Sequence, residues 1–427
     1  MEDLLKFDFP TEIPSIIKVV GVGGGGGNAV TQMYREGIRD VTFVLCNTDR
    51  QALMGSPIPV KVQLGPGLGA GGKPEKGREH AEESLDSINQ MLSDGTEMVF
   101  ITAGMGGGTG TGASPIVAKV AKDKGILTVG IVTIPFIFEG TFKIVQALKG
   151  VEEIKKNVDA LLVINNERLR DIYAGLSVSD AFKKADDTLT IAVRSISEII
   201  TIRGYINLDF ADVKTILKDG GVAVMSSGMG KGENRVSLAI ENALNSPLLN
   251  NNDVFKAKKI LLNITFGSRQ PMMMEEFDEV HDFMAKFSSD IEVIWGTALD
   301  ESLEDEIKVA ILASGFGIEN IISKAEFKKI EEEQEKDMWE RKAREEREKV
   351  EEEERLISEA KLIEKYYGKR IRPTNTNPFI FTLADIDDNE TIEAVINNPA
   401  YNRSRRVMLD IAKKVEARRK AVEEIAE

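Results

Sequence analysis

The sequence predicts an α/β protein: a domain with a mostly parallel sheet and helices on both faces, a long central helix, a second α/β domain, and then a charged linker and tail. Two patterns predict it. Short continuous apolar runs alternate with segments of helical period, which is how parallel strands joined by crossover helices are written. Each glycine-rich or polar loop also follows the C-terminal end of a strand, where the ligand crevice of such a sheet lies. Composition divides the chain into an N-terminal arm (1–14), a first domain (15–175), the central helix (176–203), a second domain (204–322), the linker (323–372) and the tail (373–427).

Residues 16–22 form the first strand, and a glycine loop, Gly23 to Gly27 with Asn28, opens a helix through about Glu36. Residues 41–46 are the second strand, ending in Asn47-Thr48-Asp49, and 58–64 a short third. Proline and glycine are so dense from 65 to 79, Gly71 and Gly72 included, that this stretch reads as a mobile loop. Strand 98–102 enters the string Gly104-Met-Gly106-Gly-Gly-Thr109-Gly-Thr111-Gly112, and a helix over 114–124 leaves it. Strand 126–133 ends in Ile134-Pro135 and runs on to Glu139-Gly140, while 160–164 ends in Asn165-Asn166-Glu167-Arg168. In the central helix Ala181, Ala185, Leu189, Ala192, Ile196 and Ile199 recur at helical spacing. Gly204 stops it, and Asp209 to Val213 starts a short helix. Strands 222–226, 260–265, 291–295 and 308–314 then alternate with helices 236–244 and 274–287, with no glycine cradle among them.

Beyond Ile322 Glu, Lys and Arg dominate, and Glu332/Lys336, Glu340/Arg344, Glu345/Lys349 and Glu351/Arg355 are i,i+4 pairs in the favourable order. This linker reads as a solvated spacer, either a charged helix of roughly 60 Å or a coil spanning roughly 35 Å. The tail carries a short motif with Ile396, Pro399, Ala400, Tyr401 and Arg403, and 407–427 has the period of a final amphipathic helix.

The 101–115 stretch organises the rest. Backbone almost bare of side chains lets an anion approach. The N–H groups that open the following helix lack intrahelical partners and have the positive end of the dipole behind them, which makes a phosphate cradle. A P-loop is excluded, because no lysine lies between Met105 and Pro115. A dinucleotide fingerprint in Gly21-Val-Gly23-Gly-Gly-Gly26 stays open on these residues alone. Bulk properties narrow the field further. The formal net charge of −15 argues against nonspecific nucleic-acid binding. With one cysteine, Cys46, no internal disulfide can form, and two histidines leave little room for a histidine-rich metal site or a Ser-His-Asp triad. No apolar run is long enough to span a bilayer, and the first residues lack the apolar core of a signal peptide.

The string GGGTGTG resembles the signature of the tubulin and FtsZ superfamily. Together with GGGGGNAV, NTDRQAL, LGAGGKPEKGRE, PFIFEG, NLDFADV and LDESLEDEIKVAILASGFG, it resembles the FtsZ family of bacterial cell-division GTPases from about residue 16 to 317. The resemblance implies a GTP- and GDP-binding domain using Mg²⁺ held mainly by phosphates and water. It also implies head-to-tail protofilaments and a cytoplasmic ring at mid-cell beneath the inner membrane. Gly23, Gly24, Gly25, Gly26, Gly27 and Asn28 then correspond to phosphate-side residues, and Gly104, Gly106, Gly107, Gly108, Thr109, Gly110 and Thr111 to the cradle. Asn47, Asp49, Gly71, Gly72, Pro135, Lys143 and Phe182 fall on the nucleotide as well, Glu139 on the ribose, and Asn166 and Asp187 on guanine. A carboxylate such as Asp187 can accept from both N1–H and the exocyclic amine of guanine, whereas adenine offers an acceptor at N1.

By the same resemblance Asp209 and Asp212, with Asn207 beside them, act in trans on the γ-phosphate of the neighbouring subunit; read from their own residues, the two acids are a helix N-cap. The tail motif resembles a terminal Pro-Ala-Phe-x-Arg peptide that binds membrane-tethering adaptors such as the actin-like FtsA, together with other division regulators. Two departures stand out: Lys143 replaces an arginine, so the bidentate clamp of a guanidinium is lost, and Asn165 replaces a proline. Two rival readings are a nicotinamide-dependent oxidoreductase using Asp49, and a tubulin-like filament serving DNA segregation or cell shape.

Overall fold

The computed structural model describes residues 15–316, apart from 174, 176, 203, 247–253 and 288–290, and beyond them only positions 347 and 358. The N-terminal arm, the linker pairs, the motif at 396–403 and the segment 407–427 lie outside the described residues.

Strand β1 (Ile17–Val22) leads into α1 (Gly23–Arg35), and β2 (Val41–Asn47) into the short α2 (Arg50–Met54). After β3 (Val60–Gln63) come α3 (Pro74–Glu83) and α4 (Leu85–Met91), then β4 (Met98–Gly104) and α5 (Gly108–Asp123). Next are β5 (Leu127–Ile134), α6 (Thr141–Lys156), β6 (Ala160–Asn165), α7 (Asn166–Ile172) and the long α8 (Val178–Thr201). The second half comprises α9 (Phe210–Leu217), β7 (Gly221–Lys231), α10 (Arg235–Leu244), β8 (Lys259–Phe266), α11 (Glu276–Met284), β9 (Glu292–Leu299) and β10 (Glu306–Phe316).

One ten-stranded sheet runs through the molecule in the order β3-β2-β1-β4-β5-β6-β7-β10-β8-β9. The first six strands are all parallel, as the strand-loop-helix alternation requires. β7 joins them through only two register pairs, Ala160 with Gly221 and Leu161 with Val222. Beyond it β7–β10 and β10–β8 are antiparallel and β8–β9 parallel. The second domain expected from the sequence is therefore a mixed extension of the same sheet.

The inner parallel strands β1, β4, β5 and β6 are buried on both sides, and their alternating side chains feed two cores. Val20, Val22, Val99 and Ile101 pack with Ala81, Ile88, Val117 and Ala147 of α3, α4, α5 and α6. Val19, Phe100 and Val129 pack on the other face with α1, α8 and α9, through Val30, Leu189, Ala192, Ile196 and Val213. The central helix keeps its expected face because Ala185, Leu189, Ala192, Ile196 and Ile199 are all buried. It reaches both halves of the sheet, since Ala223, Leu261 and Leu312 belong to the same core. Glu198 on α8 also pairs with Lys308 on β10 at 2.7 Å.

Four expectations are corrected. The glycines 23–27 are the first turn of α1 itself. Packing overrides their poor helix propensity: a Cβ on Gly26 would lie 2.2 Å from the carbonyl oxygen of Thr102, so only glycine lets α1 lie against β4. For the same kind of reason α5 begins at Gly108, six positions before the expected start, and keeps Pro115 inside. The stretch read as a mobile loop to residue 79 turns helical at Pro74, whose fixed φ suits the first helical position, with Glu75 favourable in the first turn. Asn166 to Arg168 opens a helix, α7, which Asn165 caps by accepting from the Glu167 N–H at 3.0 Å.

The second half is pinned by one buried cation. Arg235 is 1% exposed and donates to Glu276 at 2.7 and 3.1 Å, and to the carbonyls of Gln270, Pro271 and Asp305. The Arg235 side chain holds the Glu276 carboxyl below its usual range. Its contribution to stability is therefore present above the ordinary carboxylate pKa and lost as pH falls through the lowered value. Arg235→Met is expected to cost about 3–5 kcal/mol in urea unfolding at neutral pH, because it strands the carboxylate and the carbonyls together; a loss under about 1 kcal/mol would show that the cluster does not anchor this half.

Candidate functional site

The parallel strands β1, β4, β5 and β6 end side by side, and a cavity of about 250 Å³ opens above them. One wall comes from α1, through Gly25 and Asn28, and from the β4–α5 turn, through Gly104, Met105, Gly106 and Gly107. Thr133, Pro135, Glu139 and Lys143 follow β5, and Asn166 follows β6. The opposite wall is one face of α8: Phe182, Ala185, Asp186 and Leu189, at i, i+3, i+4 and i+7.

Neither α1 nor α5 has a side-chain cap; their caps are Val22 and Gly107. Their first N–H groups therefore stay available to an anion, with both dipoles behind them. The turn before α5 is braced from within. The Gly106 N–H donates to Thr111 Oγ1 at 2.9 Å, and Gln146 Nε2 donates to the carbonyls of Gly106 and Gly107 at 3.0 and 3.2 Å. Thr48 and Thr109 share a hydroxyl hydrogen bond of 2.6 Å across the same corner. Glu139 accepts from the Phe136 N–H at 3.0 Å and sits 3.5 Å from Lys143 Nζ. At the far end Phe136, Phe138 and Phe182 form an aromatic cluster with centroids 5.1–6.5 Å apart. Asn166 is 4% exposed and its Oδ1 has no partner. A buried carbonyl oxygen facing a cavity without a donor fits a ligand that brings one.

Of the residues singled out from the sequence, Gly25, Asn28, Gly104, Gly106, Gly107, Pro135, Glu139, Lys143, Asn166 and Phe182 meet in this cleft. Gly23, Gly24, Gly27 and Asn47 line an adjoining cavity between α1 and α2, which shares Asn28 and Asp186 with it. Gly26, Gly108, Gly110 and Thr111 are buried beneath as packing. Gly71 and Gly72 are exposed turn residues, Gly72 accepting from Gln146 at 3.2 Å. Asp49, which a nicotinamide site would spend on a ribose, instead caps α2 through the N–H groups of Gln51 and Ala52.

The aspartate that the resemblance places on guanine does not line this cleft, whereas its neighbour does. Asp187 lines the adjoining cavity rather than this cleft; Gln32 Nε2 of α1 donates to it, and Lys184 Nζ, one turn earlier on α8, lies 3.3 Å away. One residue turns a helix by about 100°, so of the adjacent pair only Asp186 reaches this cleft, although both border the adjoining cavity. The available signal was the i,i+4 spacing from Phe182. Burial, and then repulsion from Asp187, pushes the Asp186 carboxyl up to about 7. Thr133 and Gln146 were also missed; neither belongs to a glycine string.

Asp209 and Asp212 lie elsewhere and cap each other's turn. Asp209 Oδ1 accepts from Ala211 and Asp212 N–H at 2.8 and 3.1 Å, and Asp212 Oδ2 from the Asp209 N–H at 2.9 Å. Asn207 Oδ1 accepts from the Gly204 N–H at 3.3 Å.

Residues 16–174 match the model of the Tubulin/FtsZ family GTPase domain, and 221–317 that of the FtsZ family C-terminal domain. The cell division protein FtsZ of Porphyromonas gingivalis (strain ATCC BAA-308 / W83) is 48% identical, over 95% of this chain and 89% of that protein. The cell division protein FtsZ of Aquifex aeolicus (strain VF5) is 44% identical over 71% of this chain and 83% of its own length. Among solved structures, an empty FtsZ dimer from M. jannaschii aligns at a TM-score of 0.64 with 40% identity, covering 70% of this chain and 88% of that one. GTPγS-bound CetZ2 from Haloferax volcanii shares the fold, with a TM-score of 0.60 at 20% identity, covering 76% of this chain and 99% of its own. A doubly wound sheet with two uncapped helix ends at its crevice, matched along both halves by these relatives, places the chain in the FtsZ family of tubulin-like cell-division GTPases.

Proposed function

We propose that the cleft holds GTP with its phosphates on the first turns of α1 and α5, its ribose beside Glu139, and its base among Asn166, Phe182 and Asp186. We propose further that Asp209 and Asp212 of a neighbouring copy, with Asn207 beside them, complete the active site in a head-to-tail filament. The observation that carries the second part is distance. From Asp186 to Thr201 alone, α8 rises about 22 Å, and the acid pair follows that far end. That span supports completion of the site by another copy rather than by the same subunit. The capping bonds use one oxygen of each carboxylate and leave the other outside the cap.

Exposed apolar side chains at both places support a contact between copies. Ile137 and Phe138 stand beside the cleft, and Tyr205 and Ile206 stand on the loop before Asn207. A contact of one end against the other does not close on itself, so it propagates as a filament. Phosphoryl transfer needs positioning, charge neutralisation and an oriented water more than covalent help. The helix ends supply the first, and the incoming carboxylates would orient the water. Lys143, paired with Glu139, contributes a point charge in place of a guanidinium fork. Among the described residues no group of three or more His, Cys, Asp or Glu could hold a metal. Mg²⁺ would be held by the phosphates and its own waters, where it neutralises charge.

Among the described residues no helix is long and apolar enough to cross a membrane. Attachment of a mid-cell ring beneath the inner membrane would fall to the tail motif with Ile396, Pro399, Ala400, Tyr401 and Arg403, as ligand for an adaptor of the FtsA kind and for other division regulators.

At pH 8 Asp186→Asn should weaken GTP binding by about 1–3 kcal/mol, the cost of a mispaired buried polar group; calorimetry giving equal affinity would remove Asp186 from the base site. The shared active site predicts complementation. Asp212→Ala should bind GTP and polymerise yet hydrolyse slowly. Gly107→Arg should obstruct its own cradle while folding normally, because a Cβ there meets nothing within 4 Å. A mixture of the two should hydrolyse GTP well above the sum of the separate rates. Loss of GTP binding by monomeric Asp212→Ala would instead place the acid in its own subunit's pocket. Truncation before Pro373 should leave GTPase activity and light-scattering assembly nearly intact and abolish recruitment to adaptor-coated vesicles; failure to assemble would make the tail part of the filament contact.

A further inference from the structure

We propose that Asp187, outside the cleft, is the charge partner that sets the pH range over which Asp186 engages a guanine base; this rests on the base-reading role given to Asp186 above. The geometry is a pair of adjacent carboxylates that both border the adjoining cavity, of which only Asp186 also lines the cleft. Asp186 lines the cleft, and Asp187 is fixed on the α1 side by two donors, Gln32 Nε2 and Lys184 Nζ. Gln32 is in turn fixed by Glu36, 2.9 Å away, which pairs with Arg194. A strap from α1 to α8 thus holds a negative charge immediately behind the base reader.

Other charges face Asp186 as well. On α8 Lys183 lines the adjoining cavity, but its ammonium lies 3.7 Å from Asp180. α1 contributes Arg35 to that cavity, beside the neutral Asn28 and Gln32. Glu139 and Lys143 line the cleft and pair with each other, and on α7 Glu167, next to Asn166, pairs with Arg170. Of all these, Asp187 is the charge that adds to burial in raising the Asp186 carboxyl to about 7. Only the ionised form accepts from both N1–H and the exocyclic amine of guanine; the protonated form turns an O–H toward a base edge that is itself donating. Affinity for a guanine nucleotide should therefore rise with pH through neutrality. The steepness belongs to Asp186, and the midpoint is set partly by Asp187.

The test measures GDP binding to the full chain by calorimetry at pH 6, 7 and 8, since GDP avoids turnover. The parent should bind more tightly at pH 8 than at pH 6. Asp187→Asn should bind up to about fivefold more tightly than the parent at pH 6 and nearly equally at pH 8, a midpoint shifted down by up to one unit. Lys184→Met, which removes the cation beside Asp187, should move the midpoint the other way and weaken binding at pH 7. Opposite shifts in two variants are not what a merely structural role produces. Asp187→Asn binding more weakly at every pH, or a pH profile parallel to the parent's in both variants, overturns the proposal. Asp186→Asn separates the two levels: it should bind weakly with a flat profile, and binding like the parent's would sink the base-reading assignment itself.

Discussion

The site depends on how closely two helix first turns approach each other at the C-terminal edge of the sheet. A Cβ on Gly23 would lie 2.8 Å from the Gly110 nitrogen, so α1 and α5 touch backbone to backbone. With no side chains between them, two sets of unpartnered N–H groups and two dipoles converge on one volume. The cost is borne by poor helix formers in both first turns, and the packed strands β1 and β4 beneath compensate for it. The brace from Thr111 and Gln146 then fixes the turn so that its amides need no reorganisation when an anion arrives.

The second constraint is the length of α8. One face of this helix reads the cleft near its start, and its buried stripe binds both halves of the sheet before it ends beside the acidic turn. A rigid element of this length separates the cleft from the acidic pair within a subunit and holds each at a defined end. It also explains why the capping role of Asp209 and Asp212 and their proposed role in trans are compatible: the cap shapes the turn that would be presented to the neighbour.

Sequence by itself determined the class of fold, because continuous apolar runs followed by glycine or polar loops can bury both faces only as parallel strands. It also determined which loops meet, since the crevice of such a sheet lies at its strand ends, and Gly104, Gly106, Gly107, Glu139, Asn166 and Phe182 do gather there. What it left open is what periodicity cannot encode. Glycine strings read as loops became helix at 23–27 and 108–112 because close backbone packing outweighs propensity. Two adjacent aspartates are equivalent as letters, and only the rotation of α8 in its packed position turned Asp186 into the cleft and Asp187 onto Gln32. Thr133 and Gln146 carried no local signal, since their roles arise from contacts with residues far away in the chain. The fold was legible because burial is periodic; the site's last residue was not, because a helix's rotation about its axis is decided by everything it packs against.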